Sequence, residues 1–238
     1  TLPRTAFRLK YQFLLQPPEN KIFLKINIKK AYAKNIFSRF YKCCPEGESL
    51  KKIYIMLSMT GTRFSKVLRA ATQKKYTHVS ISLDKELNEL YSFGRRSQYL
   101  PFIAGFVKEH PNKGVYRKFP TECLIYEIDI TDAEYSHLKD LLEVFKEDYR
   151  HCRYNFFALL LMSMNIPYNC KSHFVCSQFV AYLLTKSNVV DFNKEYSLVR
   201  PEDFCNIRFK RQIYEGLLRD YSRTVCRKPK KYITPLFG

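Results

Sequence analysis

Cys176 and the five histidines are the side chains through which this chain can do nucleophilic chemistry. From Cys176 the apolar residues Phe179, Val180, Leu183 and Leu184 fall at the offsets of one helix face. Ser172 stands just before the run, where a hydroxyl can cap the first free amides. The pattern predicts a buried helix with Cys176 in its first turn. There the unsatisfied N–H groups and the positive dipole end favour a thiolate. A thiolate so placed is a nucleophile once a histidine reaches it. The same position also suits a packed thiol, because free cysteine behaves as a small hydrophobe. The histidine partner decides between the two.

His110 precedes Pro111, His137 lies on a polar helix flank, and His151 sits among Arg150, Cys152 and Arg153. His173 is three residues from Cys176, a separation across a helix start that rarely gives a base-to-thiol hydrogen bond. His78 is different. It lies in an alternating segment, with Ser80 and Ser82 on its own side and Val79 and Ile81 on the other. A histidine on a core strand is held rigidly and can be aimed at a helix N-terminus, although a lone core histidine is more often simply hydrogen-bonded. Cys170, His173 and Cys176 also have ligand-like spacing, but no fourth ligand is near them in sequence, which weakens a zinc reading.

The elements that must position these residues follow from periodicity. Residues 52–59 alternate as a strand. Residues 76–83 and 89–94 form a hairpin around a turn at 84–88, and 123–130 form a further strand. Ser65 is placed to cap a short helix. Thr131, with Glu134 three residues on, has capping-box spacing for a helix whose stripe is Tyr135, Leu138, Leu141, Leu142 and Phe145. Residues 95–120 read as an irregular loop carrying Arg95, Arg96, Tyr99, Pro101, Phe102, Gly105 and Phe106, which suits a lid or specificity loop. Residues 154–164 are apolar and partly helical, and Pro201 opens a helical turn with acids behind it. Three regions are expected: a basic N-terminal extension at 1–50 with a short strand at 22–28, a catalytic domain at 51–218, and a basic, loosely held tail at 219–238.

Four pieces in order carry a resemblance: residues 76–81 around His78, 90–94 around Ser92, 174–180 around Cys176, and 200–204. Together they resemble the circularly permuted papain-like hydrolases of the NlpC type, a group that includes YiiX-like proteins and lecithin:retinol acyltransferase-like enzymes. In that group histidine precedes cysteine in the chain. The resemblance spans roughly residues 52–204. It implies an α+β, papain-like fold with an antiparallel sheet packed against a helix bearing the cysteine at its N-terminus. It also implies Cys176 as nucleophile, His78 as base, a thioacyl intermediate and no cofactor. Relatives carry Glu, His or Gln as the residue that orients the histidine. The corresponding position here is Ser92, with Glu89 as an acidic alternative on the same strand.

Composition bounds the partners. The 238 residues carry a formal net charge of +19, which attracts polyanions or an anionic membrane face. The 19 Phe and 18 Tyr, with no Trp, forecast an aromatic core, and seven Gly argue against a barrel or sandwich with many tight turns. The eight cysteines repeat no zinc-ribbon spacing, and residues 1–17 lack a signal-peptide pattern. Reduced thiols and a cytoplasmic location are the expectation. The sequence reading is therefore a thiol hydrolase acting on peptide amides or lipid acyl groups. The alternatives are a non-catalytic module on the same scaffold, its basic surface binding nucleic acid or an anionic membrane, and an α+β protein with structural cysteines only.

Overall fold

A computed structural model describes residues 50–97, 103–148, 150–170 and 172–225. The chain divides into two units, Thr1–Ser49 and Leu50–Gly238, and every described residue lies in the second. The strand expected at 22–28 lies outside the described residues, as do Tyr99, Pro101 and Phe102.

The described unit is α+β. Its elements run β1 (Leu50–Thr60), α1 (Arg63–Thr72), β2 (His78–Ser82), β3 (Leu90–Arg95), β4 (Ala104–Glu109), α2 (Gly114–Lys118), β5 (Thr121–Thr131), α3 (Asp132–Glu147), β6 (Arg153–Tyr154), α4 (Phe156–Ser163), β7 (His173–Phe174) and α5 (Cys176–Lys186). Two 3₁₀ turns (Tyr196–Leu198 and Pro201–Asn206), β8 (Lys210–Leu217) and α6 (Leu218–Val225) complete it. Eight strands form one sheet in the order β7-β6-β4-β3-β2-β1-β5-β8. Every pairing is antiparallel except the short parallel contact of β6 with β7. No described helix is long and apolar enough to cross a membrane.

Alternation sorts the side chains onto two faces. One face carries Ile55, Leu57, Val79, Ile81, Tyr91, Phe93 and Phe106, all buried. Helices α3 and α5 pack on it. Phe93 meets Phe145, Phe174 and Phe179 with ring centroids 5.1–6.0 Å apart, and Phe106 meets Phe145 and Phe179. The other face carries Tyr54, Met56, Leu90, Cys123 and Ile125, covered by Leu218 and Tyr221 of α6. Burial on both sides explains why β1 is apolar at successive positions rather than alternately polar.

Local caps follow sequence chemistry with two differences. Thr131 and Glu134 form their capping box, and Leu138, Leu141, Leu142 and Phe145 are the buried stripe of α3. The cap of α1 is Thr62, which accepts from the Ser65 amide, so Ser65 is the third helical residue rather than the cap. Ser172 does not cap α5. His173 and Phe174 form β7 in between, and the Gln178 side chain accepts from the Val175 N–H instead.

Two regional expectations are corrected. The stretch 95–120 is not wholly irregular: it contains β4 and α2. β4 pairs with β3 from Leu90↔Glu109 to Arg95↔Ala104, and this cross-strand pairing, not local propensity, holds a segment that contains Gly105 and ends in Lys108-Glu109. A Cβ at Gly105 would sit 2.1 Å from the Cys152 carbonyl, so only glycine lets β4 lie against the chain entering β6. The stretch from 219 is not wholly a tail either. α6 occupies Leu218–Val225 and buries Leu218, Tyr221 and Ser222, because its apolar face is what closes the second side of the sheet.

Phe179 is fully buried at the centre of the aromatic cluster. Phe179→Ala is expected to lower unfolding free energy by about 3–5 kcal/mol. Urea unfolding followed by circular dichroism checks it; a loss under about 1 kcal/mol would mean the cluster is not the core.

Candidate active site

Cys176 is the first residue of α5. The helix starts there because β7 delivers the chain in extended form through Val175, whose backbone is still in the β region. Every residue from Cys176 to Leu184 is buried, so the helix axis and its first turn are held firmly by packing. His78 is the first residue of β2, paired with Ser58 of β1. The β2–β3 ladder ends at Ile81↔Tyr91, short of Val79 and His78. At this end of the sheet the Val79 N–H points to the Cys176 sulfur instead of to β3.

Four groups act electrostatically on the sulfur: the His78 imidazole, the backbone N–H groups of Val79 and Ser177, and the Tyr154 hydroxyl. Burial pushes the Cys176 thiol up, but the His78 charge and these hydrogen bonds outweigh it, and its pKa falls below the ordinary thiol value. Burial likewise works against the charged imidazole. The Glu109 carboxylate and the Cys176 thiolate overcome that, and His78 is pushed up to about 10. The two groups therefore share the direction that favours a thiolate–imidazolium pair.

Glu109, the last residue of β4, holds the other side of the ring. Its Oε1 lies 2.9 Å from His78 Nε2, which leaves Nδ1 for the sulfur. Ser92 donates to Oε1 at 2.7 Å, Ser80 donates to Oε2 at 2.5 Å and Tyr116 donates to Oε2 at 2.9 Å. Ser80 Oγ is also 3.3 Å from His78 Nε2. Burial alone would raise the Glu109 pKa, yet the His78 charge and the donors hold the carboxyl below its usual range. Burial and the same carboxylate push the Tyr116 phenol well above its ordinary value, so it stays a donor. A Cβ on Gly94 would lie 3.3 Å from Glu109 Oε1 and from Ser92 Oγ, and 3.5 Å from His78 Cε1; glycine there leaves the carboxylate and ring room to meet.

The structure thus brings Cys176 and His78 together and changes the role of Ser92. Its hydroxyl is spent on Glu109 rather than on the imidazole, because β3 and β4 set Ser92 opposite Val107, one step along the same face from Glu109. Glu89 is directed elsewhere, bonded by Tyr91 and Lys108 on the far side of the sheet. The ligand-spaced trio does not converge: His173 Nδ1 faces Cys170 Sγ at 3.5 Å, while Cys176 faces His78. Cys123, Cys152, Cys170, Cys176 and Cys205 are free thiols.

Two site residues escaped the sequence reading. Glu109 was hidden by the reading of 95–120 as loop, although Gly105, Val107 and Glu109 alternate with Phe106 and Lys108 as a strand would. Tyr154 carried no sequence signal, being one of 18 tyrosines. It reaches the sulfur because β6 lies beside β7, with Arg153 and Asn155 N–H groups donating to the Ser172 and Phe174 carbonyls. Burial and then the Cys176 charge push its phenol well above the ordinary range, so it remains protonated.

No family model, curated protein or solved structure matches the chain.

The site has a defined pH signature. A depressed Cys176 pKa means that alkylation by iodoacetamide rises at lower pH than it does for an unperturbed thiol. Glu109→Gln removes the charge that supports imidazolium, so His78 loses its proton at lower pH and the Cys176 titration moves up. The pH midpoint of alkylation is expected to move up by about one unit or more in that variant, read by mass spectrometry of the Cys176 peptide. Overlapping wild-type and variant pH profiles would show that Glu109 does not act on the pair.

Proposed function

We propose that this chain is a thiol-dependent hydrolase or acyltransferase with a circularly permuted papain-like arrangement, acting on an amide or ester through Cys176. The observation that carries the reading is a buried sulfur at a helix start, facing an imidazole that is itself held by a partly buried carboxylate. Packing alone needs none of these polar partners, and a structural thiol in an apolar core has its pKa raised, as Cys123 does, to about 12.

The chemistry follows from the protonation states. The Cys176 thiolate attacks the carbonyl carbon, and the π-electron pair moves to the carbonyl oxygen. The Tyr154 hydroxyl, a neutral donor beside the sulfur, is placed to stabilise that oxyanion. His78 gives its proton to the leaving nitrogen or oxygen as the bond to carbon breaks, which leaves a thioester and a neutral imidazole. The imidazole then takes a proton from water, or from an acceptor amine or alcohol. The resulting nucleophile displaces the thiolate, and the imidazolium–thiolate pair is restored. Glu109 stabilises the imidazolium and orients the ring; Ser80, Ser92 and Tyr116 hold Glu109.

A cleft of about 260 Å³ opens on His78, Glu109, Tyr154 and Phe156. Phe156 of α4 lines it, and Phe157 and Leu160 of the same helix, with Met164 just beyond, are also exposed. That apolar flank favours a substrate whose acyl side is at least partly apolar, a lipid acyl group ahead of a polar peptide.

Labelling with thiol-directed fatty-acyl and peptidyl probes tests the reading. Cys176→Ala is expected to abolish labelling and His78→Ala to cut it by two orders of magnitude or more. Tyr154→Phe should lower kcat about 10²–10³-fold if its hydroxyl binds the oxyanion. Undiminished hydrolysis by Cys176→Ala would sink the proposal. Above pH 10 the wild-type rate should fall as His78 loses its proton, even though the thiolate persists.

A further inference from the structure

The charges lining the cleft do not balance. Among the described residues its one carboxylate is Glu109, and both oxygens of that group are already occupied by His78, Ser80, Ser92 and Tyr116. It pairs with the His78 imidazolium, and four further cations line the cleft, Arg95, Arg96, Lys108 and Lys113. Three of the four have an evident structural use or are free in solvent. Arg96 donates to the carbonyls of Phe106 and Cys152 and so ties β4 to the chain before β6. Lys108 pairs with Glu89, and Lys113 is exposed to water.

Arg95 is the remaining cation. It is the last residue of β3, next to Gly94, whose position lies against the His78 ring and Glu109. Its guanidinium is half-buried, and Nη2 donates to Thr62 Oγ1 at 3.3 Å. Among the described residues no carboxylate pairs with it. A guanidinium has five donors in a planar fork, so one long bond to a hydroxyl leaves most of them unused. Desolvation of that charge without a counter-ion lowers its pKa, the reverse of what the paired Arg211 experiences beside Glu127. Holding a partly desolvated cation in a cleft is unfavourable unless an anion completes it.

We propose that Arg95 is a specificity residue that binds an anionic oxygen group of the substrate, a carboxylate or a phosphate, close to the carbonyl attacked by Cys176. This deepens, and rests on, the thiol-hydrolase reading. The fork of the guanidinium matches two oxygens of either anion. The hydroxyls of Thr60 and Ser65, which bond one another at 2.6 Å, line the same cleft and can supplement it. Two requirements follow for the substrate: a negative group on the β3 side of the scissile bond and an apolar portion on the α4 side.

The test uses the full chain and small alkylating probes. Second-order rates at Cys176 are measured with anionic iodoacetate and neutral iodoacetamide at fixed ionic strength, in wild type, Arg95→Gln and Arg95→Lys. The readout is the iodoacetate-to-iodoacetamide ratio within each protein, which cancels general changes in thiol reactivity. The ratio is expected to fall about tenfold or more in Arg95→Gln and to be partly retained in Arg95→Lys. The charge of His78 is common to all three, so it cannot account for the difference. Protection of wild-type Cys176 from iodoacetamide by succinate, compared with inorganic phosphate, then ranks carboxylate against phosphate. Rapid iodoacetamide labelling with the same ratio in all three proteins overturns the anion site and leaves the thiol reading intact. Wild-type labelling no faster than that of free cysteine overturns the thiol reading, and the anion site with it.

Discussion

The partly buried contact between Glu109 and His78 is the constraint to which the site answers. A carboxylate removed from water is tolerated only when its oxygens are filled, and here an imidazole and three hydroxyls fill them. In return the carboxylate favours the charged imidazole, and the charged imidazole favours the thiolate. Each group opposes the desolvation of the next. Such a chain needs fixed distances, and the sheet provides them: Ser80 and His78 on β2, Ser92 on β3 and Glu109 on β4 all project from one face.

The apolar half of the molecule serves the same end from the opposite face. Phe93, Phe106, Phe145, Phe174 and Phe179 lock α3 and α5 to the sheet, and that packing sets where α5 begins. The sulfur has to meet a ring that projects from the other face. It does so at the end of β2, where the ladder to β3 has stopped and a strand amide is available to it. A regular ladder continued to Val79 would have claimed that amide. The break in pairing is therefore as much a part of the site as the side chains are.

Legibility differed by kind of signal. The helix after Cys176, the hairpin that carries His78, and the capping box of Thr131 were readable because each rests on spacing within one segment. β4 was not. Its short alternation contains a glycine, and what makes it a strand is pairing to β3 across a turn. As the polar residue on the return strand, Ser92 is the sequence's candidate partner for the imidazole. Its hydroxyl serves the carboxylate on the next strand instead, and the hierarchy of a carboxylate above a hydroxyl as a partner for a cation explains that order.

The sequence by itself determined that a thiol would open a buried helix and that a histidine would stand on a core strand, since both depend on periodicity and side-chain type. It also determined the aromatic core and the excess of positive charge. Only the tertiary structure decided which acid supports the histidine, which phenol reaches the sulfur and which arginine is left without a counter-charge. Those are matters of which distant strands lie side by side. Glu109 and Tyr154 take their places from the pairings of β4 with β3 and of β6 with β7, and among the described residues no carboxylate is left to pair with Arg95.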